Sequence, residues 1–321
     1  MKNSEMKIKK ENSAPFSADL LLMLLPALAA ACFIYGGGVL KTAAVSAAAA
    51  VLCDFFARFL ILRRTPDSEL DALSDGVLIA LMSPADIPLY IPALISSLSV
   101  IIFRLPFCNS QKKPLSPALL GFSAALLLIP DALLSFPLPQ SGSALTEGLD
   151  VLLNGSAVNF GSVDFLNIFA GNFPAAAGAS CLAVMLAGLL YLLLRRRAAA
   201  AAIGFIGAGA VYAVFFPRVY GSPLSSVLAE TGGGLLLFTA VYLLPAALSQ
   251  KRAVSCLLWG IAGGALCMLF RNSGFISQGA VFAAAIINLL SAALDIIAAK
   301  IKKRRSEAES AQLQNNGKAE K

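Results

Sequence analysis

The sequence contains no histidine, and only 13% of its 321 residues are charged. Without histidine the chain cannot build bis-histidine haem, a histidine-based catalytic triad or most kinds of zinc site. The six cysteines form no C-x-x-C pair, which argues against a disulfide framework or a cysteine-ligated cluster. Soluble domains carry about 25% charged residues, so the low charge content also argues against a water-exposed surface.

Hydrophobic residues make up 58% of the chain and fall into about ten runs separated by polar or charged residues. Most runs approach the ~20 residues that cross a bilayer as a helix. The sequence therefore predicts an all-α membrane protein with about ten transmembrane helices. The predicted spans are residues 18–36, 39–62, 73–83, 87–104, 114–130, 175–194, 198–216, 233–248, 253–270 and 277–299.

The basic residues predict the orientation of these spans. Of the 25 lysines and arginines, 21 fall in the two termini and alternate loops, and 3 fall in the remaining loops. Because cytoplasmic loops are enriched in basic residues, we expect a multi-pass protein of the inner (cytoplasmic) membrane. Residues 1–17 and a disordered tail at 300–321 would both be cytoplasmic, with the membrane domain at 18–299. No basic stripe with interleaved aromatics is present, so the expected partner is membrane lipid and not nucleic acid.

The sequence indicates that the membrane domain consists of two related halves. An S-D-G sequence at 74–76 opens the third predicted span, and a T-G-G-G sequence at 231–234 opens the eighth. Each half, about 18–130 and 175–299, would hold five spans, with an outside loop at 131–174 between them. Five is odd, so the sequence predicts two inverted five-helix repeats, a transport architecture with ligand sites near the repeat interface. The alternative is coincidence among segments rich in alanine, leucine and glycine.

Few ionisable residues lie inside the predicted spans. Asp54 and Arg58 are four residues apart on the second span, so they share a helix face and can pair. Charges within a membrane mark ion pathways, which makes this pair an ion-pathway candidate. The alternative is a structural pair near the cytoplasmic end of the helix. Asp75 either caps the start of the third span or directs a carboxylate into a cavity.

Two glycine-rich turns precede helices. One spans Gly171–Ser180 and the other Glu230–Gly234. Backbone N–H groups at the start of a helix can hold phosphate or another anion. Neither turn is a Walker or dinucleotide fingerprint, and close helix packing by small residues is the alternative interpretation.

These segments resemble the D subunit of the Rnf ion-translocating electron-transport complex and the related B subunit of the sodium-pumping NADH:quinone reductase. The matching segments follow the family order through nearly all the spans. They are Ser17–Ala27, Leu73–Pro84 (family S-D-G-S-A-L), Pro114–Phe122 (N-P-F-N-P-A-M-V-G-Y), Gly171–Ser180 (G-N-x-P-G-S-x-G-E-T-S), Tyr220–Gly234 (Y-x-S-P-L and S-G-G-T) and Gly279–Leu290 (G-V-A-F-A…N-L-L).

The resemblance implies a membrane subunit of an Rnf-type ferredoxin:NAD oxidoreductase, which carries electrons through flavin and couples them to sodium or proton transport. Other Rnf-type subunits would supply the iron–sulfur and NADH-facing sites, so the chain would not be a complete enzyme. The alternative is a flavin-free transporter, channel-like protein or scaffold of the same fold.

The family attaches flavin mononucleotide (FMN) to a threonine of an S-G-A-T motif in the outside loop. The corresponding stretch here, 141–150, reads S-G-S-A-L-T-E-G-L-D, so the resemblance suggests Thr146 as the covalent FMN site. It also allows a second flavin. The further cofactor-binding candidates are Ser74, Asp75, Gly76, Gly171, Asn172, Gly178 and Ser180.

Several polar positions of the family pattern are changed. The glutamate of G-E-T-S falls at Ala179 or its neighbour, and the asparagine of N-P-A is Ser116. The T-D-P sequence of the eighth span is replaced around Val241-Tyr242. Either the flavin sites have shifted or the chain keeps the fold without all of the cofactors.

Overall fold

The computed structural model describes residues 16–59, 69–108, 115–139, 158–159, 169–195, 198–217, 219–220, 223–233, 235–249 and 251–319. These residues are almost entirely helical, as the hydropathy pattern predicts. The helices of the first half are α1 (Phe16–Tyr35), α2 (Gly38–Ala57), α3 (Glu69–Met82), α4 (Tyr90–Phe107), α5 (Pro117–Leu128) and α6 (Pro130–Leu134).

The second half begins with a buried 3₁₀ turn, Ala177–Ala179, and continues through six helices. These are α7 (Leu182–Arg195), α8 (Ala199–Phe215), α9 (Pro223–Gly232), α10 (Leu236–Leu248), α11 (Ala253–Asn272) and α12 (Gly279–Ala319). Two short strands, β1 (Val158–Asn159) and β2 (Val219–Tyr220), pair in parallel.

Five helical segments in the described ranges are long and apolar enough to cross a membrane. They are α1, α2, α4, α11 and the Gly279–Ala298 part of α12. A sixth candidate is bent by 69° between Ser226–Gly232 and Leu236–Leu248. Helices α5, α7 and α8 are apolar but shorter. The all-α membrane fold is thus confirmed, whereas the count of ten spans and the inverted repeat stay predictions.

Two short helices, α3 and α5, lie in the interior of the molecule. Helix α5 has 12 residues and α3 has 14, so at 1.5 Å per residue they are about 18–21 Å long. The hydrocarbon core of a bilayer is about 30 Å thick. Helices of this length are tolerated where neighbouring protein covers their ends, and most residues of α3 and α5 are buried.

Two helix boundaries differ from the sequence prediction. Helix α3 begins at Glu69, so the S-D-G sequence at 74–76 lies inside the helix and does not open it. Helix α12 continues to Ala319, whereas the composition predicts a disordered tail from residue 300. The tail is polar but rich in lysine, arginine, glutamate, glutamine and alanine, which all favour helix, and it can extend a helix that the membrane segment has already nucleated.

Serine hydroxyls and small residues hold α2, α3 and α4 together. The Ser46 hydroxyl donates to the Gly76 carbonyl oxygen over 2.8 Å, and the Ser96 hydroxyl donates to the Ser46 carbonyl oxygen over 3.1 Å. A Cβ atom at Gly76 would lie 2.6 Å from Ala47 Cα. Such contacts are the usual means of helix association in a membrane, where apolar burial against lipid gives little net attraction.

Candidate functional site

A network of buried charges joins α2, α3 and α4. Arg104 lies at its centre, with Nε 3.1 Å from Asp54 Oδ1 and Nη1 2.9 Å from Asp75 Oδ2. Arg104 Nη2 is 3.7 Å from Asp71 Oδ2, and Arg58 Nε is 2.9 Å from Asp54 Oδ1. All five side chains are at most 10% exposed. Asp54 therefore lies against two guanidinium groups, and Arg104 lies against three carboxylates.

The local structure of α4 positions Arg104. Its segment Val100–Arg104 is a π-helix, and Arg104 is the last residue of that segment. A π-bulge adds a residue to the helical turn and often marks a functional site. Here it turns a residue of the otherwise apolar sequence V-I-I-F-R-L-P-F toward α2 and α3, where Asp54, Asp71 and Asp75 lie.

The predicted Asp54–Arg58 pair forms, but it is only part of this network. Asp75 lies inside α3, so it does not cap that helix, and it bonds to Arg104. Asp71 is a member that the sequence reasoning missed, and Arg104, the last residue of the predicted span 87–104, lies in the interior although the count of basic residues assigns it to a loop. A signal is present for both, since Asp71 and Asp75 are one helical turn apart and Arg104 interrupts an apolar run.

A second buried ion pair joins the broken helix to α11. Arg271 Nη1 is 2.7 Å from Glu230 Oε2, and the two side chains are 0% and 2% exposed. The same Nη1 donates to the Glu230 carbonyl oxygen over 2.7 Å, and Nη2 donates to the Gly233 carbonyl oxygen. The span boundaries predict Arg271 in an outside loop, whereas the structure places it in the interior at the break between α9 and α10.

The segment Gly171–Cys181 is irregular backbone enclosed by protein. Gly171 has φ +90°, a left-handed conformation that favours glycine. The Tyr35 hydroxyl lies 3.1 Å from the Phe173 carbonyl oxygen and 3.2 Å from the Ala175 carbonyl oxygen, either of which can accept its proton, and it accepts the Ala175 N–H over 3.1 Å. The Ala177 N–H donates to the Ser83 carbonyl oxygen over 3.2 Å. Non-helical backbone within a membrane protein needs such enclosure and such hydrogen bonds.

This segment and α3 do not offer an open cradle for a flavin. Ser74 Oγ donates to the Asp71 carbonyl oxygen over 2.8 Å, and Ser180 Oγ donates to the Ala177 carbonyl oxygen over 3.2 Å. A Cβ atom at Gly178 would lie 2.7 Å from Leu81 Cβ and 2.8 Å from the Phe238 ring, so side chains fill the space beside it.

The remaining cofactor candidates in the described residues are Gly76, Gly171 and Asn172. Gly76 faces α2, Asn172 is half-buried and Gly171 is buried. The space beside Ser74, Gly76 and Gly178 is thus occupied by protein, and flavin binding at these residues stays a prediction. Thr146 lies outside the described residues.

No group of three or more acidic or cysteine side chains in the described ranges has the arrangement of a metal site. The charge networks consist instead of carboxylates bonded to arginine. A helical membrane protein with shortened and broken helices and buried ion pairs is typical of proteins that move ions or electrons across a membrane.

Comparison with known proteins identifies the family to which the chain belongs. The model of the NQR2, RnfD, RnfE family matches residues 5–303, and the chain belongs to this family. A relative from Ectopseudomonas mendocina (strain ymp), the D subunit of its ion-translocating oxidoreductase complex, is 25% identical over 307 residues. The match covers 86% of this chain and 88% of the relative.

Two further relatives match over a similar share of the chain. The D subunit of the ion-translocating oxidoreductase complex of Pseudomonas aeruginosa (strain UCBPP-PA14) is 25% identical over 312 residues, which cover 88% of this chain and 90% of the relative. The D subunit of the Na(+)-translocating ferredoxin:NAD(+) oxidoreductase complex of Acetobacterium woodii is 22% identical over 284 residues, or 87% of each chain. The predicted family is confirmed, and the resemblance covers nearly the whole membrane domain.

Proposed function

We propose that this protein is the D-type membrane subunit of an ion-translocating ferredoxin:NAD oxidoreductase complex. We further propose that the Asp54–Arg104 network forms part of its ion path. The family match over residues 5–303 supports the first statement. The observation that carries the second is the burial of three carboxylates and two guanidinium groups on α2, α3 and α4. Buried charges are costly in a membrane protein and are kept where they serve transport.

The network can couple ion movement to a change of structure. A proton or sodium ion on Asp54 or Asp75 would neutralise a carboxylate that now holds Arg104. Arg104 would then be held less strongly by α2 or α3, so the relative positions of these helices would change.

We propose cytoplasmic termini in the inner membrane, and contacts at the two ends of α1 agree with the predicted grouping of loops on each side. Near its start, Asp19 Oδ1 accepts from the Tyr191 hydroxyl over 3.2 Å and lies 3.6 Å from Arg195 Nε. Near its end, Tyr35 contacts Phe173 and Ala175. The basic residues assign the first group to the cytoplasm and the second to the outside, and the fold brings each group together at one end of α1.

The ion-path proposal predicts the effect of Asp54→Asn on transport. In membrane vesicles containing the whole complex, we expect ²²Na⁺ uptake or proton uptake driven by reduced ferredoxin and NAD to fall. The fall should be about tenfold or more, because each charge-assisted hydrogen bond of Asp54 contributes about 1.5–3 kcal/mol. Asp86→Asn is a matched control, since Asp86 is exposed, and it should leave uptake unchanged.

Two outcomes of that experiment would contradict the proposal. Normal uptake with assembled Asp54→Asn complex would reduce the network to a structural element. The amounts of the partner subunits in the purified material distinguish failed assembly of the complex from failed transport. A chain that purifies without any partner subunit would contradict membership of the complex itself.

We propose in addition that Thr146 carries FMN through a phosphoester bond. Its support is the family resemblance of the stretch 141–150, together with the chemistry of the threonine hydroxyl, which can form such an ester. When bound, FMN would supply one-electron and two-electron transfer. The closed packing around Gly178 and Ser74 gives no support to a second flavin in those segments, and the flavin-free transporter or scaffold is the competing interpretation.

Mass spectrometry of the intact chain tests the flavin proposal. Chain expressed together with its flavin transferase should gain the mass of one FMN less one water molecule, because the threonine oxygen replaces a hydroxyl group of the FMN phosphate, and this gain should vanish in Thr146→Ala. Thr231→Ala is a control, because that hydroxyl donates to the Val227 carbonyl oxygen within the membrane domain, and it should keep the adduct. An unmodified wild-type chain would favour the flavin-free interpretation.

A further inference from the structure

The guanidinium group of Arg271 lies where a helix is interrupted. Helix α9 ends at Gly232 and α10 begins at Leu236, and the two helical axes differ by 69°. Arg271 is the penultimate residue of α11 and reaches this break with no exposed side-chain surface. Interrupted membrane helices present backbone carbonyl groups that ordinary helices use internally.

Three oxygen atoms from a four-residue stretch meet the guanidinium group. They are Glu230 Oε2, the Glu230 carbonyl oxygen and the Gly233 carbonyl oxygen. Both carbonyl groups belong to the carboxyl-terminal end of α9 or the residue after it, where the helix dipole is negative. A carboxylate together with backbone carbonyl oxygens is also the ligand set that hard metal cations prefer.

We propose that these oxygen atoms form a cation site and that Arg271 occupies it as a tethered cation. A small monovalent cation, sodium in the ion-pumping complex, takes the site when Arg271 withdraws. The exchange keeps the buried charge constant, because one positive charge replaces another beside Glu230. Departure of Arg271 without a replacement would take its positive charge away from a buried carboxylate, which is unfavourable. The site is therefore expected to hold either Arg271 or a cation.

The position of Arg271 in its helix suits such an exchange. It lies in the last turn of α11, next to Asn272 and the turn at Gly274, which has φ +96°. A change confined to this last turn can displace the guanidinium group while the rest of the helix keeps its hydrogen bonds. The nearest surroundings of Gly274 are open, with no heavy atom within 4 Å of the position of a Cβ atom.

The Arg271 site has a counterpart in the Arg104 network. Each arginine lies at or next to the end of the fourth predicted span of its half and contacts a carboxylate in or just before the third, Asp75 or Glu230. In the predicted inverted arrangement these spans run in opposite directions, which places Arg104 toward the cytoplasm and Arg271 toward the outside. The assignment of Arg271 to the outer end of an ion path rests on the proposed function, whereas the cation site itself rests on the contacts of Glu230 and Gly233.

Removal of the tethered cation tests the site on the full-length purified chain. We expect the unfolding temperature of Arg271→Gln in mild detergent to rise by several degrees when sodium chloride replaces choline chloride at constant ionic strength, because ligand binding to the folded state stabilises it. The rise should saturate with sodium concentration and should be smaller when potassium or calcium replaces choline. Wild type and Arg271→Lys keep a tethered cation and should show at most a small sodium effect.

The double variant Glu230→Gln/Arg271→Gln provides the matched control. It lacks both charges, so it should lose the sodium response while keeping its unfolding temperature closer to that of wild type. Equal sodium responses of Arg271→Gln and wild type would overturn the proposal, as would a response that survives in the double variant. Failure of Arg271→Gln to fold in sodium would also overturn it, because sodium is required to replace the guanidinium group.

This measurement is independent of the proposed function. It needs no ferredoxin, NAD, flavin or partner subunit. A sodium response in a chain that takes no part in electron transfer would keep the cation site and reject the proposed function. A complex that pumps ions normally with an Arg271→Gln subunit that lacks the sodium response would give the reverse result.

Discussion

Replacement of Arg104 by methionine is expected to lower the free energy of unfolding by about 3–5 kcal/mol. Methionine keeps much of the side-chain length but cannot bond to Asp54, Asp71 or Asp75, which lie 2.9–3.7 Å from the guanidinium nitrogens. Three buried carboxylates would then lose the guanidinium group that they share. Removal of one member of a buried ion pair is strongly destabilising, because the remaining charge loses part of the compensation for its removal from water. Denaturant titration in mixed micelles would measure the loss.

Arg195→Met is the matched control for this experiment. Arg195 also pairs with an aspartate, Asp19, but at 3.6 Å and with 53% of its side chain exposed. Exposed ion pairs contribute about 0–1 kcal/mol, so this variant should lie close to wild type. If Arg104→Met and Arg195→Met lose equal stability, the buried network does not have the energetic role that its geometry suggests.

A double variant separates charge from packing at the same site. Arg104→Met/Asp75→Asn restores the original balance between the carboxylates and guanidinium groups of the network. It should therefore recover part of the stability that Arg104→Met loses, since neutral isosteres replace two members of one ion pair. A further loss in the double variant would show that Asp75 is stabilised by bonds other than the one to Arg104.

The membrane architecture is predictable because it depends on composition over long windows. Hydrophobic runs and alternating basic loops indicate spans irrespective of how the helices pack. The errors concern single residues at helix ends. The count of basic residues treats Arg104, the last residue of the fourth predicted span, and Arg271, one residue beyond the ninth, as loop residues, although both are buried. Without Arg104 and Arg271, the termini and alternate loops hold 20 basic residues and the remaining loops hold 2. The predicted orientation therefore does not depend on these two arginines.

The charge networks are only partly predictable because their partners are distant in sequence. Asp54 and Arg58 share one helix, and the four-residue spacing alone predicts their contact. Arg104 contacts Asp54 across 50 positions, and Arg271 contacts Glu230 across 41. The π-helix at Val100–Arg104 and the bend between α9 and α10 determine both contacts, and neither follows from hydropathy.

The glycine-rich segments are ambiguous in sequence for a different reason. Their composition suggests phosphate or flavin binding, but the structure fills the space beside Gly76 and Gly178 with protein. Glycine in a membrane helix permits close packing as readily as ligand binding. Only the neighbouring helices distinguish these roles, and one sequence does not identify those neighbours.

Glycines at the contact between α8 and α11 give the second prediction with a large effect. Helix α11 contains the G-x-x-x-G sequence Gly260–Gly264, and both glycines meet backbone of α8. A Cβ atom at Gly260 would collide with the Ala201 carbonyl oxygen, and one at Gly264 would collide with the Phe205 carbonyl oxygen. From the other side, a Cβ atom at Gly204 would lie 2.6 Å from the Leu257 carbonyl oxygen.

Gly260→Ala is therefore expected to cost about 2–3 kcal/mol of unfolding free energy, at the upper end of the usual effect of overpacking. The obstacle is main chain, which cannot change rotamer, so α8 and α11 must separate along their contact. Gly207→Ala adds the same methyl group to α8 where no heavy atom lies within 4 Å of the Cβ position. That control should keep or gain up to about 1 kcal/mol, because alanine favours helix over glycine. Equal effects of the two substitutions in the mixed-micelle titration would show that α8 and α11 do not pack through Gly260, whereas a loss confined to Gly260→Ala would establish this glycine contact as a principal link within the second half of the membrane domain.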